Sequence, residues 1–476
     1  MKRILIEETT KHINKTVKVC GWATNCRSHG KVLFVDLRDI SGLLQIVFTA
    51  QNNELYQSAQ KIRPEWVICL EGKVKERPKG MQNSKIKTGQ IEFEAENLEI
   101  ISQAETIPFS IDTNGYEINE EKRLKYRYLD LRRKRLKKNL IARHKIIQFI
   151  RQYLDRENFI EIQTPLLSKS TPEGARDYLV PSRLQPGKFF ALPQSPQQYK
   201  QLLMIAGFEK YFQIAPCFRD EASRADRSPG EFYQLDIEMA FVEQNDILQL
   251  TENLIISLVK TLFPEKKIKQ IPFPRINYQT AMKKYGTDKP DLRNNKNNTE
   301  ELAFCWIIDF PLFQKQNKED FFYGAGKKLA PSHHMFTAPK KEDVSLLDKD
   351  PLKVRSYQHD LVLNGVEIGG GSIRVHNKEV QEKIFDLIGF DQKQKEQFLH
   401  LLNAFKFGVP PHGGIAPGLE RLTRILLGEK NIREITAFPL SGDARDLMMD
   451  APSKVEESQL KELGLEIKKD KKTKKK

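Results

Sequence analysis

Hydrophobic residues in the first hundred positions fall in short β-branched and aromatic runs at 17–23, 32–37, 43–48, 66–74 and 91–101, separated by Gly, Asn and Lys clusters. With one helical pattern at 54–62, five such strands predict a small β-barrel of the OB type over residues 1–104. The period then changes. Leu136, Leu140, Ile147, Ile150 and Leu154 recur at helical spacing, and Pro165 ends the pattern in extended backbone. A second helix is expected over 246–262 and a strand over 303–310. Between the helices, residues 211–241 read as two apolar arms, 212–218 and 232–241. They flank a loop carrying Arg219, Asp220, Glu221, Arg224, Asp226 and Arg227 and closed by Pro229-Gly230. Residues 105–135 read as a linker, and the closing KKDKKTKKK as a disordered tail on a terminal segment, 454–476.

A chain of 476 residues exceeds one ordinary domain and predicts two or three. No apolar run is long enough to span a bilayer, and MKRILIEETTKHINK lacks the apolar stretch of a secretory signal. Cys20, Cys26, Cys69, Cys217 and Cys305 are scattered without C-x-x-C spacing, so neither a zinc site nor a disulfide framework is expected and a reducing cytoplasm fits. The 78 Lys and Arg against 63 Asp and Glu give +15, which favours a polyanionic partner, although a Lys-rich composition alone produces the same excess.

Candidate chemistry lies in four places. An Arg219 guanidinium at a strand end can clamp phosphate with two parallel hydrogen bonds. In SPQQYKQLLM, Ser195 can cap a helix that Pro196 begins, bringing Gln197 and Lys200 together in its first turn. In HDLVLNGVEIGGGSIR, Asp360 and Glu367 form a carboxylate pair suited to Mg²⁺ on nucleotide phosphates, and Gly369–Gly371 permit close backbone approach. In PHGGIAPGLERLTR, a glycine-rich turn precedes a helix bearing Arg421. On the barrel, Arg27, Phe34 and Gln45 offer a cation, a ring and an amide to single-stranded bases, although by pattern alone Phe34 reads first as core. KRLKYRYLDLRRKRLKK is either a solvated helix face or a hinge against a nucleic-acid backbone, and the flanking domains favour the hinge.

The helix at 136–154 with its extended end, FRDE followed by FYQLDIE, and GLER stand in the order of motifs one, two and three of the class II aminoacyl-tRNA synthetases. Over about residues 17–453 the chain resembles the bacterial aspartyl type of class IIb. The resemblance implies an α+β protein, an OB-fold anticodon-binding barrel followed by a catalytic domain at 136–453 built on an antiparallel sheet flanked by helices. It implies a cytoplasmic homodimer joined through motif one, with ATP and Mg²⁺, L-aspartate and tRNA(Asp) as ligands. Arg219, Glu367 and Arg421 are then the catalytic residues. Glu173, Gln197, Lys200, Arg219, Asp236, His333 and Arg374 hold aspartate. Arg219, Asp220, Glu221, Ser228, Glu367, Gly418, Leu419, Glu420 and Arg421 hold ATP, and Asp360 and Glu367 hold Mg²⁺. Arg27, His29, Phe34, Gln45, Gly80 and Glu92 fall at anticodon positions, and His29 with Gly80 resembles members that also charge tRNA(Asn). The chain departs from the pattern in keeping only a short remnant, near 287–300, of the large bacterial insertion. It also has His359 for an aromatic residue, Glu420 for Asp and Ser228 for Gln. Two alternatives stay open: a non-catalytic RNA-binding paralogue, and the related asparaginyl ligase.

Overall fold

The computed structural model describes residues 1–221, 230–316 and 329–468. Arg224, Asp226, Arg227, Ser228 and the Lys-rich end from 469 lie outside the described residues. Two compact units divide the chain, 1–110 and the residues from 111 onward.

The first unit is a closed barrel of β1 (Thr16–His29), β2 (Val32–Arg38), β3 (Leu43–Thr49), β4 (Val67–Glu76) and β5 (Ile91–Ser102), in the order β1-β2-β3-β5-β4, with α1 (Asn53–Gln60) between β3 and β4. Alternation sends Val19, Val35, Leu37, Ile46, Ile68 and Phe93 inward, all fully buried. The same alternation corrects the reading of Phe34 as core. Leu33 and Val35 point in, so Phe34 points out, half-buried and opposite Arg27 on β1. The cysteine expectation is also corrected: Cys20 and Cys69 are directly paired across β1 and β4 and joined as a disulfide. Strand register brings them together, and their separation of 49 residues gives no local sequence signal.

The second unit is built on an eight-stranded sheet. Its strands are β6 (Ile160–Glu161), β7 (Lys210–Arg219), β8 (Gly230–Ala240), β9 (Arg275–Asn277), β10 (Phe304–Ile308), β11 (Gln358–Leu363), β12 (Val366–Ile373) and β13 (His412–Pro417). The order is β9-β10-β11-β12-β13-β8-β7-β6, antiparallel throughout except for the parallel edge strands β6 and β9. Helices α2 (Lys134–Arg156), α3 (Gln197–Ile205), α4 (Gln244–Leu262) and α5 (Leu419–Leu427) accompany it. From α2, Ile146, Ile150 and Leu154 enter one core with Ile255 and Leu258 of α4, Leu422 of α5 and Leu235, Ile237 and Ile415 of the sheet. Ile146 takes the depth that the spacing assigned to Ile147, which packs only at the margin of that core.

In the basic stretch Arg123, Arg127 and Arg133 turn inward, while Lys122, Lys125, Lys134 and Lys138 stay exposed. Asp130, fully buried, accepts from Arg133 Nε at 2.6 Å, Arg127 Nη1 at 2.9 Å and Arg123 Nε at 3.0 Å. Arg123 forks onto Glu434, and Arg135 bridges Glu429 and Glu434. Four arginines that read as a tRNA-facing surface are therefore internal ion-pair partners. The acids that claim them lie about 300 residues away in sequence or stand singly inside the basic run.

Candidate active site

Period two along β8 builds the floor of the site. Leu235 and Ile237 enter the core, while Gln234 and Asp236 face a cavity of about 290 Å³. The next residue on that face is Glu238, fully buried. From α3, Lys200 Nζ reaches Asp236 Oδ2 at 3.0 Å and Glu238 Oε2 at 3.1 Å. From the end of β12, Arg374 Nε and Nη2 bind Glu238 at 2.9 and 3.2 Å, and its Nη1 donates to Ser372 Oγ at 2.8 Å. The result is a buried quartet of two cations and two carboxylates. Burial pushes Glu238 upward, but Arg374 and Lys200 outweigh it and hold the group at about 2. Burial raises Asp236, with Lys200 opposing and Glu238 adding. Sequence reasoning missed Glu238. Its one signal is the i, i+2 spacing from Asp236, which puts both acids on the same face of a strand.

Gln197, Lys200, Arg219, Glu221, Asp236, His333, Glu367, Arg374, Gly418, Glu420 and Arg421 all border this one cavity. Arg219, at the end of β7, holds its guanidinium 5.0 Å from the centre of the Phe232 ring, which fixes its plane. Arg421 Nη1 donates to the Glu367 carbonyl at 2.8 Å. His333 lines the same cavity, where burial and then the Arg374 charge bring it down to about 4, so it is neutral at pH 7. His333 Nδ1 and Asp236 Oδ1 are buried without a hydrogen-bond partner among the described residues.

Five expected positions fall elsewhere or serve another purpose. Glu173 borders a separate cavity of about 260 Å³, its carboxylate held by Thr171 Oγ1 at 2.9 Å and by Gln198 Nε2. Leu419 is fully buried in the main core, because the first turn of α5 points it at the sheet rather than the cavity. Asp220 is exposed, and its N–H bonds Arg176 O at 3.1 Å. Glu420 touches the cavity but is tied down by Arg143 Nη2 at 2.8 Å and Tyr233 N at 3.1 Å, so it braces α2, β8 and α5. Ser195 makes no cap, since Pro196 is the N-cap residue of α3 and no side chain bonds there.

Asp360 sits behind Gly370, buried, its Oδ1 taking a hydrogen bond from Gln358 at 3.3 Å. Burial and the Glu367 charge push its carboxyl well above the usual range. Asp360 and Glu367 make a carboxylate pair that suits a divalent cation drawing its remaining ligands from phosphate and water. No group of three or more His, Cys, Asp or Glu side chains among the described residues could hold a metal by itself.

The glycine-rich strands behave as their sequence predicts. A Cβ on Gly371 would stand 2.1 Å from Gly414 O, and one on Gly369 2.7 Å from Pro417 Cα. Gly371→Ala is expected to cost about 1–3 kcal/mol by forcing β12 and β13 apart, read as a lowered urea midpoint.

On the barrel, Arg27 pairs with Phe34 across β1 and β2, Gln45 with Asp36 across β2 and β3, and Glu92 with Lys75 across β4 and β5. Arg27 Nη2 bonds Asp36 Oδ2 at 3.0 Å. His29 ends β1 and Gly80 lies in the β4–β5 loop with φ of 88°, both exposed.

An OB barrel in one unit and, in the next, this antiparallel sheet with arginines converging on a glycine-floored cleft define a class II synthetase architecture. The family model for class II tRNA synthetases (D, K and N) matches residues 119–442, that for the OB-fold nucleic acid binding domain matches 17–101, and the chain belongs to this synthetase family. The aspartate–tRNA(Asp/Asn) ligase of Rubrobacter xylanophilus is 40% identical, over 97% of this chain and 96% of its own. That of Thermoanaerobacter pseudethanolicus is 41% identical, over 97% of each. The first alignment runs to 585 positions, more than the 476 residues here, so that relative carries segments without counterpart in this chain. In fold, the asparaginyl-tRNA synthetase of Pyrococcus horikoshii, solved with asparaginyl-adenylate, superposes with a TM-score of 0.73 at 23% identity, over 92% of this chain and 98% of that one.

Proposed function

We propose that the chain is an aspartate–tRNA ligase. It activates L-aspartate with ATP and transfers it to tRNA(Asp) and to tRNA(Asn). The observation that carries this reading is the quartet of Lys200, Asp236, Glu238 and Arg374 at the bottom of a cleft flanked by Arg219 and Arg421. Aspartate brings one ammonium and two carboxylates. Asp236 Oδ1, an acceptor without a donor, suits the ammonium, while Lys200 and Arg374 suit the side-chain carboxylate.

In the first step an oxygen of the aspartate α-carboxylate attacks the α-phosphorus of ATP, and the bond to the β-bridging oxygen breaks to release pyrophosphate. Arg219 lies against the phosphate where charge grows, and Arg421 holds the nucleotide from the α5 side. No side chain forms a bond to substrate. Glu367 and Asp360 would hold Mg²⁺, which when bound neutralises charge on phosphate oxygens. In the second step the terminal ribose hydroxyl of tRNA attacks the adenylate carbonyl and AMP leaves. Arg27, Phe34, Gln45 and Glu92 present the anticodon surface of the barrel, and His29 and Gly80 border it as the loops that admit either tRNA. The chain acts as a homodimer joined along α2 and β6, in the cytoplasm where its substrates are.

Labelled-aspartate charging of separate tRNA(Asp) and tRNA(Asn) transcripts tests both levels. Charging of both, with rates within about tenfold, is expected. Charging of tRNA(Asp) alone discards the His29 and Gly80 reading, and charging of neither discards the ligase.

A further inference from the structure

We propose that Lys289 is a further ligand of the β- and γ-phosphates, supplied by the loop at 287–293; this rests on the cleft being the ATP site. Lys289 Nζ stands 3.5 Å from Glu367 Oε2, and Arg421 Nη1 stands 3.7 Å from the same oxygen. Glu367 is thus bracketed by two cations at the rim of the cavity, and the Lys289 charge also reaches Asp360. The side chain of Lys289 is 40% exposed, so its ion pair is weak and exchangeable. Phosphate oxygens, carrying more charge than a carboxylate, are the stronger acceptor, and a compact ammonium on a flexible stem suits them.

The loop is built to hold this position. Pro290 is buried, and Leu292 packs on the cluster of Ala281, Cys305, Ile307 and Val362. Asp291 is clamped by Arg293 Nη2 at 2.7 Å and Nε at 3.0 Å. Gly365, with φ of 81°, turns β11 into β12 directly against it, and a Cβ there would stand 3.2 Å from Asp291 Cβ. Asp288, beside Lys289, contributes its charge to the environment of Asp360, so the loop lies near the carboxylate pair. The loop thereby sets the Lys289 ammonium beside a residue of the cleft.

The test uses the full chain with Lys289→Met and Lys289→Arg, and calorimetric titration with AMP, inorganic pyrophosphate and the α,β-methylene analogue of ATP. Lys289→Met is expected to weaken the analogue and pyrophosphate about tenfold or more, to leave AMP within about twofold, and to be largely rescued by arginine. Equal weakening of AMP and the analogue would show a deformed cleft and overturn the proposal, as would unchanged binding of all three. Wild-type protein that binds the analogue without aspartate-dependent pyrophosphate exchange would overturn the aspartate reading and leave the Lys289 result standing. Failure of the wild type to bind the analogue would overturn both.

Discussion

Lys200→Leu is expected to abolish aspartate-dependent ATP–pyrophosphate exchange, with a loss of at least about 10²-fold, and to lower stability by about 3–5 kcal/mol. Lys200 is the cation shared by Asp236 and Glu238. Arg374 still serves Glu238 after the change, but Asp236 is left buried without an opposite charge. Stability and activity therefore have to be separated. Adding Asp236→Asn to Lys200→Leu removes the stranded charge and is expected to recover most of the urea midpoint, while exchange stays lost because Asp236 is itself placed on the substrate ammonium. Recovery of both would mean that Lys200 only holds the floor together and does not read substrate.

Asp130→Ala is the largest expected change outside the cleft. Three arginines converge on that carboxylate, with no exposure to water to soften its loss. Glu434 can still take Arg123, but Arg133 loses its Asp130 partner while keeping Thr113, and Arg127 keeps only carbonyl partners. A cost of about 3–5 kcal/mol is expected in urea unfolding of the second unit. A cost under about 1 kcal/mol would return these arginines to the role of an open, tRNA-facing surface.

The strands of the barrel and the helices at 134–156 and 244–262 were legible because alternation and helical period are local signals. The cleft was legible because motifs with known order named its members, and the sheet then brought Lys200, Arg219, Glu367, Arg374 and Arg421 to one place. What stayed hidden depended on pairing at a distance. Arg123 and Arg135 looked like surface cations because Glu429 and Glu434 are far along the chain. Cys20 and Cys69 had no spacing to report. Glu238 passed unnoticed although its spacing from Asp236 placed it on the same strand face. The resemblance implies Leu419 for ATP, and the turn of the helix sends its side chain into the core. Glu173 is implied by the resemblance alone, and its carboxylate partners Thr171 and Gln198 come from the fold of its own loop.

The crowded strands at the base of the cleft also limit the routes by which this pocket can acquire a new substrate. Any side chain on Gly414 would stand 1.9 Å from Ile237 O and collide with the Glu238 carboxylate, and Gly369 and Gly371 are shut in the same way. These glycine positions are therefore closed to mutational exploration. Altered amino-acid preference has to arise at the side chains of α3, His333 and Arg374, where one residue can be exchanged without parting the sheet.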